Sequence, residues 1–349
     1  PFVVYRTTAG GGPLKVAKCG NATCSSGNTF TSPTTPGQVQ NFFFTALRAN
    51  GLVFIPHYDL LPSGSNPPVA LNLMKCDASL NCSCTVTATS TDVSSSSAAA
   101  ASSAASSVSS ANQCIADSSG TVGMIPPSIA LGPEGFPVIS YRDQQGNLKV
   151  MKCGDASCNA RPSTTVDTNL GATGSITTSI AIGMDGLPVI AYFDGLTTNP
   201  PQNADLKVLK CGNAACTTGN TITLIDSTGD VGRFASVAVP SDGLPLIAYV
   251  SESSKLLKVV KCASTACNGN NTISILVNAG KIEHFSSLKI SPNGTAYITY
   301  FEYATDGLSA ALKVLKCGNS ACNANNTIST VDSNADAINW TSLTFGSNG

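Results

Sequence analysis

Cysteines are the residues in this chain whose type and spacing most directly indicate chemistry. A cysteine that follows a lysine recurs six times, and a second cysteine comes a few residues later. Five pairs have the spacing Cys-x4-Cys: Cys19 with Cys24, Cys153 with Cys158, Cys211 with Cys216, Cys262 with Cys267 and Cys317 with Cys322. Zinc needs four ligands that converge on one point, whereas each of these pairs belongs to a different repeat. The pattern therefore predicts disulfides, no metal site and an oxidising, extracellular compartment.

The second repeat departs from this spacing. Its cysteines are Cys76, Cys82, Cys84 and Cys114, and we expect Cys76 to pair with Cys82 and Cys84 with Cys114. Residues 85–111 between them are rich in serine and alanine. Such a tract is too polar and uniform to build a core. The sequence therefore predicts an insert at 85–111 in the outer hairpin of the second unit, as a flexible or glycosylated loop.

A second recurring feature is an acidic residue after the second predicted strand of a repeat. It is present as Asp59, Asp143, Asp194 and Glu302. A ring of carboxylates on one face could bind calcium or sugar hydroxyls. The alternative is that each acid begins a turn by accepting hydrogen bonds from its own backbone. These four residues are the candidate ligand-face acids.

The residue types needed for catalysis are sparse. The chain has two histidines, His57 and His284. His57 takes the position held in other repeats by a tyrosine, namely Tyr5, Tyr141, Tyr192, Tyr249 and Tyr300. Glycosidase chemistry needs paired carboxylates in a cleft, and the acids that the pattern locates lie in repeated turns. The sequence therefore predicts a protein that is not an enzyme and needs no cofactor.

Six Asn-x-Ser/Thr sequons are present, and this motif marks possible N-glycosylation sites of secreted proteins. They begin at Asn21, Asn81, Asn270, Asn293, Asn325 and Asn339. Most fall in predicted turns or cystine loops, where a glycan would project into solvent. The chain is therefore predicted to be a glycoprotein.

The elements that carry these residues are predicted to be short strands. In the fourth repeat, runs rich in Val, Ile, Leu, Tyr and Thr occupy 179–182, 187–192, 206–211 and 221–226. Such runs with turn residues between them indicate an antiparallel meander. The Asp185-Gly186 pair between the first two runs favours a type I′ turn, with positive φ at both residues. Similar pairs recur in the other repeats.

A repeat of four strands that occurs six times is typical of a six-bladed β-propeller. A β-solenoid is the alternative, but its rungs are shorter and lack regular hairpin turns. We therefore expect an all-β, six-bladed β-propeller of four-stranded antiparallel blades, with residues 1–349 as a single domain.

The two ends of the chain resemble different parts of one repeat. Residues 341–345 match a first strand, and residues 1–5 match a second strand. One blade is therefore predicted to be completed by the N- and C-terminal strands. The ring could close within one molecule, or one chain could complete a blade of the next chain and build a filament. A third alternative is that the chain is a piece of a longer array.

The composition of the chain argues against two classes of partner, nucleic acids and membranes. Charged residues are 11% and the net charge is −1, so no basic surface is available to neutralise the phosphates of a nucleic acid. No run of about 20 apolar residues is present, as a transmembrane helix would require. Nucleic acid and a membrane span are therefore not expected.

The whole chain resembles secreted tandem-repeat β-propellers built on Leu-Lys-Val-x-Lys-Cys-x4-Cys units. This resemblance implies secretion, disulfides and use as a surface or scaffold module. A more distant similarity is to sialidase-like propellers, but their Ser-x-Asp-x-Gly-x-Thr-Trp box is absent, and the sequence at Ser241 departs from it. The arginine triad of that family is not recognisable among Arg6, Arg48, Arg142, Arg161 and Arg233.

These observations predict a non-enzymatic structural glycoprotein that self-associates into a secreted fibre or surface assembly. The split repeat, the sequons and the low charge favour this function. The alternative is a carbohydrate-binding, lectin-like module that uses the turns of one face and takes glycans as partners.

Overall fold

The fold is all-β, and six separate sheets lie in the described part of the chain. The computed structural model describes residues 2–6, 14–18, 28–32, 38–39, 46–47, 53–60, 69–77, 79–83, 115–117, 127–143, 145–155, 158, 162–168, 170, 177–195, 204–277, 282, 287–303, 310–335, 343 and 345. These segments contain no helix with the length and apolar character needed to cross a bilayer.

The third to sixth sheets each contain four antiparallel strands in sequence order, which confirms the predicted meander. The third sheet consists of β10 (Ser128–Leu131), β11 (Pro137–Arg142), β12 (Leu148–Lys152) and β13 (Ser163–Asp167). The fourth consists of β14 (Thr178–Ile182), β15 (Pro188–Asp194), β16 (Asp205–Lys210) and β17 (Thr221–Asp226). The fifth consists of β18 (Val231–Ala238), β19 (Leu246–Ser251), β20 (Leu256–Lys261) and β21 (Thr272–Val277). The sixth consists of β22 (Ser287–Ile290), β23 (Ala296–Tyr303), β24 (Ala310–Lys316) and β25 (Thr327–Ala335).

The first two sheets are less regular. The first has three described strands, β1 (Phe2–Arg6), β2 (Leu14–Lys18) and β3 (Thr29–Thr31). In the second sheet two short segments, β4 (Gln38–Val39) and β5 (Ala46–Leu47), both pair with β6 (Val53–Leu60). β7 (Val69–Cys76) follows and pairs with β8 (Cys82–Ser83) and β9 (Ile115–Asp117). The insert at 85–111 lies outside the described residues.

Each meander has two distinct ends. At one end lie the hairpin turn between the first and second strands and the loop between the third and fourth strands, and we call this the turn end. At the opposite end lies the connection between the second and third strands, and we call this the open end. Since neighbouring antiparallel strands reverse direction, every four-stranded sheet has both ends.

The hairpin turns differ from the predicted type. Gly183 accepts a hydrogen bond from Gly186, and Gly186 has a φ of 75°. Asp185 is not among the residues with positive φ, whereas a type I′ turn requires positive φ at both central positions. Gly243 and Gly294 repeat this pattern with φ of 75° and 85°. The turns therefore have a single left-handed glycine, as in a three-residue hairpin with a glycine bulge.

The core lies between neighbouring sheets. Buried side chains of the fourth sheet, such as Val189 and Val208, pack against Val237, Ile247 and Val260 of the fifth. Similar clusters join the second sheet to the third, the third to the fourth, and the fifth to the sixth. Burying one such side chain contributes about 1.5–3 kcal/mol. No sheet in these pairs buries its apolar faces alone, which explains why the repeats occur in series.

A serine lies on the first strand of each of the third to sixth sheets, and its Oγ accepts a hydrogen bond from a backbone N–H at 3.0–3.2 Å. In three cases the donor is on the first strand of the following sheet, and in the sixth sheet it is the amide of Leu343. The bonds join Ile180 to Ser128, Val237 to Ser179, Leu288 to Ser236 and Leu343 to Ser287. Because one bond is repeated between equivalent residues, the turn ends of these sheets lie on the same side of the molecule.

The fourth strands, by contrast, expose apolar side chains. Ile222 and Leu224 of β17 are 42% and 53% exposed, and Ile273 and Ile275 of β21 are 40% and 56% exposed. Phe30 of the first sheet and Ile328 of the sixth are exposed at the same strand position. The last strands of the first, fourth, fifth and sixth sheets therefore combine an unpaired backbone edge with exposed apolar side chains.

Candidate functional site

The open end of the sheets carries a repeated bond between a tyrosine and an aspartate. Tyr192 of the fourth sheet donates its hydroxyl to Asp167 Oδ2 of the third sheet at 2.7 Å. Tyr249 of the fifth sheet donates to Asp226 Oδ2 of the fourth sheet at 2.8 Å. Burial raises the pKa of both tyrosines, and the neighbouring carboxylate raises it further. Both hydroxyls therefore remain protonated donors.

Lysines from the third strands of the fourth, fifth and sixth sheets meet carboxylates at the same end. Lys207 Nζ lies 2.6 Å from Asp194 Oδ2 and 3.8 Å from Asp167 Oδ2. Lys258 Nζ lies 3.0 Å from Asp226 Oδ2. Lys313 Nζ lies 2.9 Å from Glu302 Oε2. These lysines are the first of the two in the Leu-Lys-Val-x-Lys-Cys repeat. The partner acid lies on the second strand of the same sheet in the fourth and sixth sheets, and on the last strand of the preceding sheet for Lys258.

The carboxylates at this end experience opposing electrostatic effects. Burial raises the pKa of Asp226, but hydrogen bonds from the Thr228 amide, Tyr249 and Lys258 outweigh it and keep that pKa below its usual value. Asp205 lies directly opposite Asp194 across the β15–β16 ladder. Burial and then the charge of Asp194 raise the pKa of Asp205. The open end of the fourth sheet is thus a concentrated polar region.

Arg142 is a buried charge that distinguishes the third sheet. Its side chain is 1% exposed, and its guanidinium donates to the carbonyl oxygens of Phe193, Gly146 and Leu170 at 2.8–2.9 Å. Burial lowers the pKa of Arg142 to about 10, although Asp194 and Asp143 favour its charged form. Arg142 therefore stays protonated and fixes the connecting segments of two neighbouring sheets.

A second arginine contacts the ring of Phe193. The Arg233 guanidinium is centred 4.8 Å from the Phe193 ring, within the range of a cation–π contact. Asp230 accepts hydrogen bonds from Arg233 Nε and Nη2. Arg142, Phe193 and Arg233 therefore form a packed boundary beside the Asp194–Lys207 pair.

The four predicted ligand-face acids have different surroundings. Asp194 and Glu302 pair with the lysines described above. Asp143 accepts hydrogen bonds from the backbone N–H and the side-chain amide of Asn147, both at 2.8 Å, as a turn-forming aspartate does. Asp59 lies on β6, and its side chain is outside the described residues. Within the described part of the chain, no three metal-ligating side chains come together.

The position of the recurring tyrosine is buried in the second to sixth sheets. Tyr141, Tyr192, Tyr249 and Tyr300 are all 0% exposed, and so is His57, which takes this position in the second sheet. His57 Nδ1 lies 3.1 Å from the Ile55 carbonyl oxygen. Burial lowers the pKa of His57 to about 4 despite this bond. His57 is therefore a neutral core residue at pH 7, and His284 lies outside the described residues.

The sixth sheet shows what happens when the aspartate is missing. Val277 stands at the end of β21 where Asp226 stands at the end of β17. The Tyr300 hydroxyl, which would meet that aspartate, is buried and has no hydrogen-bond partner among the described residues. The tyrosine is therefore retained for packing even where its polar partner is lost.

The turn end uses lysine and aspartate in another way. The second lysine of the repeat, Lys210, donates to Asp185 Oδ1 at 2.8 Å and to the Leu187 carbonyl oxygen at 3.1 Å. Lys261 makes the same bonds to Asp242 and Leu244 at 2.9 and 2.8 Å. These pairs fix the hairpin turn.

Five disulfides are present among the described residues, and they are at the turn end. They join Cys76 to Cys82, Cys153 to Cys158, Cys211 to Cys216, Cys262 to Cys267 and Cys317 to Cys322. The second cysteine of each Cys-x4-Cys pair among them has a φ of 54–57°. In the second sheet, whose spacing is one residue longer, Leu80 has the left-handed φ of 66° instead.

Two predicted disulfides fall on parts of the chain that the structure does not describe. Cys19 and Cys24, the expected pair of the first repeat, both lie outside the described residues. The same holds for Cys84 and Cys114, the expected second pair of the second repeat. Both pairings therefore stay predictions.

Sequence reasoning missed the residues that bond across neighbouring sheets. Asp167 and Asp226 end the fourth strands of successive repeats, and Lys207 and Lys258 recur in the third strands. Their recurrence at equivalent positions was a signal that could have identified them.

Neither a comparison with protein families nor one with curated proteins gives a match. Solved structures do match. A mutant of AofleA from Arthrobotrys oligospora is 12% identical, with a TM-score of 0.54 over 96% of this chain and 87% of that chain. The Aleuria aurantia lectin AAL in complex with Fucα1-6GlcNAc is 13% identical, with a TM-score of 0.51 over 96% and 93%. An α-L-arabinofuranosidase mutant from Fusarium graminearum is 10% identical, with a TM-score of 0.52 over 95% and 89%. The chain therefore shares the β-propeller fold of lectins and glycoside hydrolases.

The prediction that the chain is not an enzyme is corrected by this comparison. One of the three similar structures named above, the arabinofuranosidase, is a glycoside hydrolase. The fold is therefore one on which glycosidic bonds are hydrolysed, and the lack of a recognised catalytic box does not exclude an enzyme.

Proposed function

We propose that this protein is a carbohydrate-binding β-propeller of six blades, one for each sheet, and that its ligand face is the open end. The observation that carries the proposal is the series of half-buried lysine–carboxylate pairs. Asp194–Lys207 and Glu302–Lys313 occupy equivalent positions two sheets apart. A face with repeated equivalent sites suits a multivalent ligand such as a glycan.

The chemistry of these pairs suits sugar hydroxyls. A carboxylate accepts hydrogen bonds from hydroxyl groups, and a lysine ammonium donates to hydroxyl oxygens. Lys207 lies between Asp194 and Asp167. Neighbouring hydroxyl groups of one sugar could therefore bond to the lysine as donor and to a carboxylate as acceptor. Bonds that involve a charged group contribute about 1.5–3 kcal/mol each. The AAL lectin, which shares the fold, is bound to Fucα1-6GlcNAc in its structure.

The test is a glycan array that includes Fucα1-6GlcNAc, followed by calorimetry on the strongest binder. Asp194→Asn and Lys207→Met are expected to weaken binding by roughly tenfold or more, the equivalent of about 1.4 kcal/mol. Asp185→Asn removes a similar carboxylate from the turn end and should leave binding unchanged. Equal losses in all three variants, or no binding by the unmodified protein, would contradict the proposal. Turnover of a bound glycoside would make the same face an active site.

We propose a second function, as a protomer of an extracellular fibre or surface layer, on a separate observation. The Leu343 amide bonds to Ser287 and the Phe345 ring lies 5.3 Å from Tyr297. These contacts are the ones expected of a first strand of a further blade. The first sheet has three described strands and would accept such a strand, within one chain or from a neighbouring chain.

Analytical ultracentrifugation and electron microscopy of the secreted protein distinguish the two arrangements. Ordered polymers that lengthen with concentration are expected if the strand is exchanged between chains. A stable monomer at high concentration would contradict the fibre and would support closure of the ring within one chain.

A further inference from the structure

Four described sequons lie at the same end of their sheets. Asn81 precedes β8, Asn270 precedes β21 and Asn325 precedes β25, so each lies in a loop between third and fourth strands. Asn293 lies in the hairpin turn between β22 and β23. All four residues are exposed. These are the connections that form the turn end, on the side of the molecule opposite the lysine–carboxylate pairs.

In the fifth and sixth sheets, the local structure shows which asparagine of the loop between the third and fourth strands faces solvent. Asn271 donates its side-chain amide to the Cys267 carbonyl oxygen at 2.6 Å and accepts a bond from the Ala263 amide at 2.9 Å. Asn326 bonds in the same way to Cys322 and Gly318. The second asparagine therefore fixes the loop. The first, Asn270 or Asn325, is exposed beside it.

The fourth sheet offers a natural comparison without a sequon. Asn220 makes the same two bonds, to Cys216 and Gly212. The residue before it is Gly219, with a φ of 67°, where the sixth sheet has Asn325 with a φ of 56°. Asparagine tolerates this left-handed conformation better than most residues. A Cβ at Gly219 would lie 3.4 Å from the nearest atom, the Gly212 Cα, so an asparagine fits there.

We propose that Asn81, Asn270, Asn293 and Asn325 carry N-glycans, and that these glycans cover the turn end while the open end stays bare. The two ends then have separate roles, because the glycans stand on the side away from the proposed ligand sites. The claim that the open end binds ligand rests on the proposed function. The claim that these four asparagines are glycosylated does not depend on the proposed function.

Glycopeptide mass mapping of the full chain, secreted from a eukaryotic cell, tests the modification sites. Glycans are expected at all four asparagines. Thr272→Ala and Thr327→Ala should each remove one glycan by destroying a sequon without changing its asparagine. Thr221→Ala, at the equivalent position of the fourth sheet, should change nothing, and Gly219→Asn should add one glycan. Unmodified Asn270 and Asn325 in the folded, secreted protein would overturn the proposal.

A second measurement tests the separation of the two ends. The substitution Glu252→Asn creates a sequon completed by Ser254, in the β19–β20 connection at the open end. On the glycan array, enzymatic removal of the native glycans should change binding by less than twofold. The glycosylated Glu252→Asn variant should bind at least tenfold more weakly, and trimming its glycan should restore binding. If removal of the native glycans changed binding more than the added Glu252→Asn glycan did, the proposed separation of a glycosylated turn end from a ligand-binding open end would be overturned. A protein with four occupied sites and no array ligand would contradict the proposed function alone.

Discussion

Both ends of the sheets carry lysine–carboxylate contacts, but the residues at the turn end recur from sheet to sheet while those at the open end vary. At the turn end, the glycine turn, the cystine loop and the lysine that fixes the turn recur almost unchanged. At the open end, Arg142 has the apolar counterparts Phe193 and Val250, and the acid at Asp194 becomes Ser251 in the fifth sheet. The repeated end builds the architecture, and the varied end is where a specific ligand can be recognised. Four predictions test this contrast, from the largest expected effect to the smallest.

The largest effect is expected from the histidine at the open end of the second sheet. Since burial lowers the pKa of His57 from 6.5 to about 4, the unfolded chain binds a proton between these values and the folded protein does not. Stability should therefore fall as the pH drops from 6.5 to 4, by up to about 3 kcal/mol. Urea unfolding across this range should show a smaller loss in His57→Gln. Parallel curves for the two proteins would show that His57 is not buried in its neutral form.

The stability of the turn end is expected to depend on its disulfides and on the left-handed backbone conformation of the second cysteine. Replacing Cys211 and Cys216 by alanine should cost about 2 kcal/mol, since the disulfide closes a short loop. Cys216 has a φ of 55°, which glycine adopts without cost. The variant Cys211→Ala/Cys216→Gly should therefore be about 1 kcal/mol more stable than the double-alanine variant in thermal unfolding. No difference between the two would mean that the loop rearranges when the disulfide is lost.

Two equivalent tyrosines at the open end, one with a hydrogen-bond partner and one without among the described residues, provide a matched comparison. Tyr249→Phe removes the hydroxyl that bonds to the buried Asp226 carboxylate and should cost about 1.5 kcal/mol. Tyr300→Phe removes a buried hydroxyl that has no hydrogen-bond partner in the described part of the chain, so its effect should lie within about 0.5 kcal/mol. Denaturant unfolding of both variants measures the difference. Equal costs would show that packing of the ring, rather than the bond across sheets, sets the effect.

The smallest effect is expected from a turn-end acid. Burial raises the pKa of Asp185, but the bonds from Lys210 and the Leu187 amide outweigh it and keep that pKa below its usual value. Its contribution is therefore present above the unfolded pKa and is lost as the pH falls through the folded pKa. Because Asp185 is partly exposed, Asp185→Asn should cost only about 0.5 kcal/mol at about pH 7. The cost should vanish at about pH 2, and a constant cost would assign the effect to the turn backbone.

The sequence predicted those features that depend on near neighbours. Strands such as Thr221–Asp226 follow from alternating apolar residues, and the cystine pairs follow from their spacing. The turn type was wrong because an Asp-Gly pair suits both a two-residue type I′ turn and a three-residue turn with a left-handed glycine, which differ in loop length and in the φ of the aspartate. The dipeptide does not distinguish them.

The candidate site was less predictable because its contacts join separate repeats. Tyr249 and Asp226 belong to neighbouring sheets and are 23 residues apart in the chain. Arg142 bonds to Phe193, 51 residues further on. Local sequence patterns carry no information on contacts between residues so far apart in the chain. The recurring acids were therefore predicted as a ring of carboxylates, and the lysines that pair with them were missed.

The exposed isoleucines of the fourth strands have a consequence for solubility. Ile273 and Ile275 lie on β21, which begins just after Asn270, and Ile328 lies on β25, which begins just after Asn325. A glycan on each asparagine would stand beside a strand edge that could otherwise pair with another molecule. Protein made without glycans is therefore expected to self-associate through these edges at concentrations well above those of an array experiment, and a charged residue in place of Ile275 should reduce this association.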